Sequence, residues 1–292
     1  MNIFVPVDNH QQLMSCFCAK ASAVIFSTAF CSSKTQHPLS ISELSALSIQ
    51  ATELHLPWYL SINRMVVQSE WPSLQQEIAR IDQFNPTGYI VSDFGVLHYL
   101  KQHYPDRKII TLTDTTITNA RDVEVLLDAG ADLVALAREL TFDEVREIVE
   151  KFGSKVLISG FGYQCMSTSN RPLLSNYLTH IHKDVEIDHK RFTLQEEGRI
   201  DGYPAMQDAH GFHIFTSSVL EIFDEITELE ALGLEHVMID TLFIDDETIC
   251  KVLDAFNQRI DVESVKAEIS AKYKLSKALY YTPTSTVKVV SE

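Results

Sequence analysis

The sequence has no CxxC pair, and its five cysteines, Cys16, Cys18, Cys31, Cys165 and Cys250, are odd in number. That pattern argues against a secreted disulfide framework and for reduced thiols in a cytoplasmic chain. Long apolar runs are missing as well. No stretch approaches the ~18 residues that a membrane helix needs, so no membrane contact is expected. The opening MNIFVPVDNHQQ carries no basic segment followed by an apolar core, and no secretory leader is expected. Basic residues are scarce: 24 Lys+Arg stand against 40 Asp+Glu, a net charge of -16. A protein that grips phosphates unaided usually shows a basic surface, so nucleic acid here requires a local patch or a partner. No GxGxxG, Walker loop, HExxH or GxSxG occurs, and the common cofactor and hydrolase signatures are thereby removed.

What is present is a regular alternation. Short β-branched runs at 3–7, 23–27, 55–63, 88–93, 108–114, 132–137, 155–161 and 236–240 read as strands, most of them separated by amphipathic segments. Such alternation predicts a parallel sheet with helices outside. Eight units favour closure into an α/β fold of (β/α)8 TIM-barrel type over residues 1–260. Ala120, Val123, Leu126 and Leu127 share one helical face, and Gly130 ends that helix. Thr141 and Glu144 form a capping box opening a helix over 142–152. Val219, Ile222, Phe223, Ile226 and Leu229 read as a further helical stripe closed by Gly233. The segment 162–212, after the seventh strand, exceeds the 2–6 residues typical of a βα loop. It predicts a hairpin or small subdomain on the C-terminal face, where barrel pockets are built. Residues 261–277 read as one more helix and the remainder, to 292, as a tail.

Polar residues gather where the strands end: Asn63, Arg64, Asp93, Asp114, Arg138, Glu139 and Asp240. That position in a barrel favours function, although Asp and Asn at strand–helix junctions also serve as helix caps. Arg138 is suited to holding a substrate carboxylate, or it pairs with neighbours such as Glu139. Cys165, near Arg171, is a candidate nucleophile if a cation lowers its pKa; the alternative is a buried inert thiol. His180 and His182 alternate along a segment read as extended, and with His189 and nearby acids they raise a metal site against a solvated acidic loop. His210 and His213 flank a Gly–Phe turn and read as local hydrogen-bonding partners. Cys16 and Cys18, two apart on a helix, face different ways.

The stretch DLVALARELTFDEVREIVEKFGSKVLISGFGYQCMSTSNRPLLSNYL, followed by EEGRIDGYPAMQDAHGFHIFTSSVLEIF, resembles the peptidase U32 family, the collagenase-like proteases. The resemblance runs from about Tyr89 to Asp246. Members of that family active as oxygen-independent hydroxylases hold an iron–sulfur cluster through four cysteines. Here Cys165 stands at the first position, Pro172 at the second, and VEIDHKRFTLQ lacks the later pair. A cubane needs about four thiolates, so no cofactor is expected in this chain. Phe161 also replaces the family's His before Gly162. Cys165, Met166, Ser169, Arg171, Asn176 and Tyr177 are most similar to the smaller of two paired U32 proteins implicated in forming 5-hydroxyuridine at the tRNA wobble position. The resemblance implies an accessory subunit, a larger cysteine-rich U32 paralogue carrying the cluster, tRNA reached through the complex, and prephenate as hydroxyl source. It also implies a substrate-binding role for Asp208 and His210 in the second stretch. A peptidase, or a barrel binding a small carboxylate, are the other two functions these residues leave open.

Overall fold

The structure, a computed structural model, describes residues 1–114, 116–195, 197–198 and 201–282. In chain order its elements begin β1 (Asn2–Pro6), α1 (His10–Cys18), β2 (Ala23–Phe26), α2 (Ile41–Glu53), β3 (Trp58–Ile62), α3 (Trp71–Asp82) and β4 (Gly88–Val91). There follow α4 (Phe94–His103), β5 (Lys108–Thr111), α5 (Ala120–Asp128), β6 (Leu133–Ala135), α6 (Phe142–Phe152) and β7 (Val156–Ser169). The chain continues through α7 (Leu173–His180), β8 (Phe192–Leu194), β9 (Tyr203–Asp208), β10 (Gly211–Glu221), α8 (Ile226–Ala231) and β11 (His236–Ile239). It ends in α9 (Asp246–Phe256), α10 (Val262–Ser270) and β12 (Leu275–Ser276).

Strands β1 to β7 pair in sequence, all parallel, and β11 pairs with both β7 and β1. The eight close into a (β/α)8 TIM-type barrel. Closure follows from side-chain alternation, since successive residues of a strand face opposite sides. One set faces outward and packs beneath the helices: Ile3, Val24, Leu60, Val91, Val134, Val156 and Val237 are all buried there. The other set fills the interior with Phe4, Ile25, Tyr59, Ile90, Ile110, Leu157 and Met238. Such a centre is a packed core rather than a pore.

Helix boundaries follow local chemistry. Thr141 and Glu144 cap each other at the start of α6, with Thr141 N–H donating to Glu144 Oε2 at 2.8 Å. Asn119 Oδ1 accepts from the Arg121 and Asp122 backbone N–H groups to open α5. Gly130, at φ +103°, takes the left-handed geometry just beyond it. Asp93 caps α4 through the Val96 N–H at 3.1 Å, so the capping reading applies to this strand-end acid.

Three stretches differ from the sequence reading. The helix expected over 261–277 ends at Ser270 and gives way to β12 at Leu275–Ser276, and residues 283–292 of the expected tail lie outside the described residues. Val219 lies in β10, not in a helix, and α8 begins only at Ile226. The apolar spacing at 219–229 fits both periods for its first few residues, and pairing decides. Val219 and Leu220 are claimed by β7 on one side and by β12 on the other. His180 ends α7 rather than lying in an extended segment, so it and His182 do not alternate along a strand. Among the described residues no convergent metal-ligand group includes a histidine.

The insertion is built by overrunning the barrel. β7 continues to Ser169, where β10 returns antiparallel to it, and β9 and β8 extend that sheet. The departure point is Gly162, at φ +125°. A Cβ there would meet Asp240 Cβ at 2.6 Å, so any side chain would collide with the strand-end acid. A small core of Leu174, Ala205 and Phe212 holds α7 against the added strands.

Candidate functional site

The inward rows of the barrel change character toward the C-terminal ends of the strands. Two residues beyond Ile25 comes Ser27; beyond Tyr59 come Ser61 and Asn63; beyond Leu157 comes Ser159. Beyond Leu112 comes Asp114, and beyond Met238 comes Asp240. These polar residues line a cavity of about 400 Å³ above the apolar interior. Period-two alternation carries Asp240, directly after β11, into this space, and Asp114 enters it from a left-handed turn beyond the end of β5.

Lys34 stands across this cavity. Its ammonium is ion-paired with Asp114, and its side chain is 11% exposed. Lys34 (φ +61°) and Asp114 (φ +62°) both hold left-handed backbone, unusual for residues other than glycine and of a kind concentrated at functional sites. Burial works against the Lys34 charge, but the Asp114 carboxylate, helped by Cys165 and Asp240, raises its pKa above that of an ordinary lysine. Asp240 is pushed up to about 6, chiefly by burial, while its bond from the Leu242 N–H and the Lys34 charge act in the opposite direction.

The insertion sets the loop that carries Lys34. Asp208 Oδ2 accepts from the Lys34 backbone N–H at 2.9 Å. His189 Nδ1 lies 2.6 Å from Thr35 O, and His210 Nε2 lies 2.8 Å from Ala29 O. Asp208 is itself buried beside His213, with Nε2 at 3.2 Å. Burial would raise the Asp208 pKa, but His213 and the two backbone donors, Lys34 and His210, outweigh it and lower the value. Burial lowers the pKa of His210, favouring its neutral ring.

Cys165 lines the same cavity, on the part of β7 that overruns the barrel. Its Sγ lies 3.4 Å from Thr168 Oγ1, which lies 3.2 Å from His213 Nδ1. Burial raises the thiol pKa and the Lys34 charge partly opposes this. The cation facing Cys165 is therefore Lys34, not Arg171. Arg171, Asn176 and Tyr177 are exposed on and before α7 and line neither this cavity nor the one beside it. Arg138 does line the cavity, and its guanidinium is ion-paired with Glu139.

A second cavity of about 380 Å³ adjoins the first and shares Ser33, Lys34, Asn63, Asp114 and Cys165 with it. His210 and the almost fully buried Arg64 belong to its lining. Arg64 Nη1 donates to Glu70 Oε2 at 2.7 Å, and its guanidinium sits 4.8 Å from the centre of the Phe30 ring.

Of the residues singled out in the sequence, Asn63, Asp114, Arg138, Cys165 and Asp240 thus meet at one cavity, and Glu139 stands outside its lining as the ion-pair partner of Arg138. Asp208 and His210 position the loop opposite, and Arg171, Asn176 and Tyr177 stand apart. Two residues were missed, Lys34 and Gln164, the latter a buried amide of β7 that lines the same cavity. Lys34 sits in an irregular loop with no periodicity, and its only sequence signal was a lone lysine following a barrel strand. A four-thiolate cluster does not fit this site. Cys165 is the cysteine at the cavity, Cys16 and Cys31 are buried in the barrel core, and no convergent ligand group among the described residues contains a cysteine. Among the described residues no helix is long and apolar enough to cross a membrane.

The sequence pattern of peptidase family U32 matches residues 8–287. The tRNA hydroxylation protein P2 of Bacillus subtilis (strain 168) is 28% identical over 208 residues, which span 70% of this chain and 67% of that protein. The tRNA hydroxylation protein P of Escherichia coli (strain K12) is 21% identical over 236 residues, 65% of this chain and 52% of that protein. The chain therefore spans about half the length of the second relative. A solved U32 peptidase superposes with a TM-score of 0.54 at 12% identity, covering 82% of this chain and 92% of that one. At that identity the superposition speaks for the fold alone.

Proposed function

The chain belongs to peptidase family U32, and from that premise we propose that it serves tRNA hydroxylation as a subunit without its own iron–sulfur cluster. The observation that carries the reading is the similarity to the tRNA hydroxylation protein P2 across 70% of the chain, joined to a cavity with a single cysteine where a cluster would need four. In this reading a larger, cysteine-rich U32 paralogue holds the cluster and contributes most of the contact with tRNA. A P1 protein exists beside P2 in Bacillus subtilis, which supports a paired arrangement. The product is 5-hydroxyuridine at the wobble position, with prephenate as the hydroxyl source. Lys34 and Arg138 are the cations of the main cavity that a carboxylate ligand would meet, each now paired with an acid of the chain itself.

The test is mass spectrometry of tRNA nucleosides from cells lacking the gene, together with identification of proteins that co-purify with the tagged chain. Loss of 5-hydroxyuridine and recovery of a cysteine-rich U32 partner are expected. Unchanged 5-hydroxyuridine, or stoichiometric iron and sulfide on the chain purified alone, would overturn the reading.

One observation favours a peptidase: the run from Cys165 through Thr168 to His213 and Asp208 joins a thiol, an imidazole and a carboxylate. Against it, Thr168 separates thiol from ring, His213 is fully buried, and burial keeps the thiol protonated. Gelatin cleavage by the pure chain, abolished in Cys165→Ser, would decide for proteolysis.

A further inference from the structure

We infer that the second cavity receives a single unpaired uracil base of the RNA, stacked on Phe94, with Cys165 at the seam between this base and whatever fills the main cavity. The inference rests on the tRNA reading above and adds the place and manner in which the nucleotide is held.

Three exposed apolar side chains line this cavity from different elements: Met65 in the loop after β3, Phe94 at the start of α4 and Met166 on the overrunning part of β7. They are 46%, 57% and 37% exposed. Single exposed apolar residues are ordinary on a protein surface, but three around one polar-floored cavity make a platform. Phe94 is the first residue of α4, whose N-terminus is fixed by the Asp93 cap, so its backbone is anchored to a rigid element. Enzymes that act on a base extrude it from its stack. They read it by stacking on aromatic and apolar side chains and by hydrogen bonds to its edge.

The floor offers the matching edge. Asn63 Oδ1 is committed to the Ser33 backbone N–H at 2.9 Å. A backbone donor fixes which end of the amide is oxygen, and the NH₂ remains to donate. Thr113 also belongs to this wall, with its Oγ1 turned away from the open space and without a hydrogen-bond partner among the described residues. An amide donor suits a carbonyl oxygen of uracil and repels the exocyclic amine that cytosine presents at the same position. Both residues line this cavity, and Asn63 lines the main one as well. The shared wall, with Lys34, Asp114 and Cys165, brings a base in one cavity alongside a small molecule in the other.

The experiment uses the tagged chain purified from its native cells together with its co-purifying proteins. An anticodon stem-loop RNA carrying 4-thiouridine at the wobble position is irradiated with this assembly, and the cross-linked peptides are mapped. Adducts are expected on peptides containing Met65, Phe94 or Met166. Phe94→Ala, at an exposed position, should leave the thermal melt unchanged. It should weaken cross-linking and lower kcat/KM for hydroxylation roughly tenfold or more, whereas Phe94→Trp keeps the stacking surface and should retain both. Hydroxylation with cross-links elsewhere, or Phe94→Ala with unaltered kinetics, overturns the base pocket and leaves the tRNA reading standing. An assembly that neither binds nor hydroxylates the RNA overturns both.

Discussion

Asp240 and Lys34 show how one barrel mouth sets opposite charges at close quarters. Asp240 follows the apolar Met238 in its inward row, so it meets a desolvated wall before it meets any cation. An ordinary unfolded Asp titrates near 3.9, whereas burial lifts the folded value to about 6. Between these values the native state holds a proton that the unfolded chain has released. Stability therefore falls as pH rises through that window and levels off above it. Asp240→Asn should remove this slope. Melts at about pH 4.5 and about pH 7.5 should show the variant gaining on the wild type at the higher value. An equal difference between the two proteins at both values would show that Asp240 titrates normally.

At the scale of elements, β12 pairs with β10, and one lysine adds a charged clamp between the C-terminal segment and the turn that follows β10. Lys277, just after β12, reaches Glu221 at 2.9 Å, Asp224 at 2.8 Å and Glu225 at 2.7 Å. These three acids form the one convergent metal-ligand group found among the described residues, and the Lys277 ammonium already sits among them. Glu221 and Glu225 are buried, and removing the cation paired with buried carboxylates costs ~3–5 kcal/mol, although the Tyr281 hydroxyl still donates to Glu225 and the Phe223 N–H to Glu221. Lys277→Met should destabilise by an amount near the lower end of that range, because Asp224 is open to solvent and also paired with Lys266. Denaturant unfolding measures it, and a change below ~1 kcal/mol would show that the clamp is incidental. The same elements show why the helix expected over 219–229 is shorter than its apolar pattern. Val219 and Leu220 are recruited into the sheet by β7 and β12, and pairing partners distant in sequence overrode local spacing.

For the whole molecule, charge constrains how RNA is reached. With a net charge of -16, the isolated chain lacks the general attraction to phosphates that dominates nucleic-acid affinity. Gel-shift titration at ~150 mM salt should find weak or no tRNA binding by the chain alone and clear, salt-sensitive binding by its assembly. Tight binding by the chain alone would place the phosphate contacts on its own surface and remove the need for a partner in that role.

The barrel was legible because its signals are local and repeated. Strand–helix alternation, the Thr141–Glu144 cap and Gly130 each act within a few residues, and the closed sheet follows from their order. Family membership was legible for the same reason, in a continuous stretch of residues around Arg138, Glu139 and Cys165. The inward aim of Asp240 was readable from alternation once the strands were placed, whereas Asp114 turns inward through a left-handed residue beyond the end of β5. What only the tertiary structure decided is which groups face them. Lys34 reaches Asp114 from a loop 80 residues earlier, held there by Asp208, 174 residues further along the chain from it. Arg171, although close to Cys165 in sequence, points away while Lys34 takes its place. Periodicity reports the face a side chain takes on its own element, and contacts between elements depend on the closed barrel and the returning insertion, which no local pattern encodes.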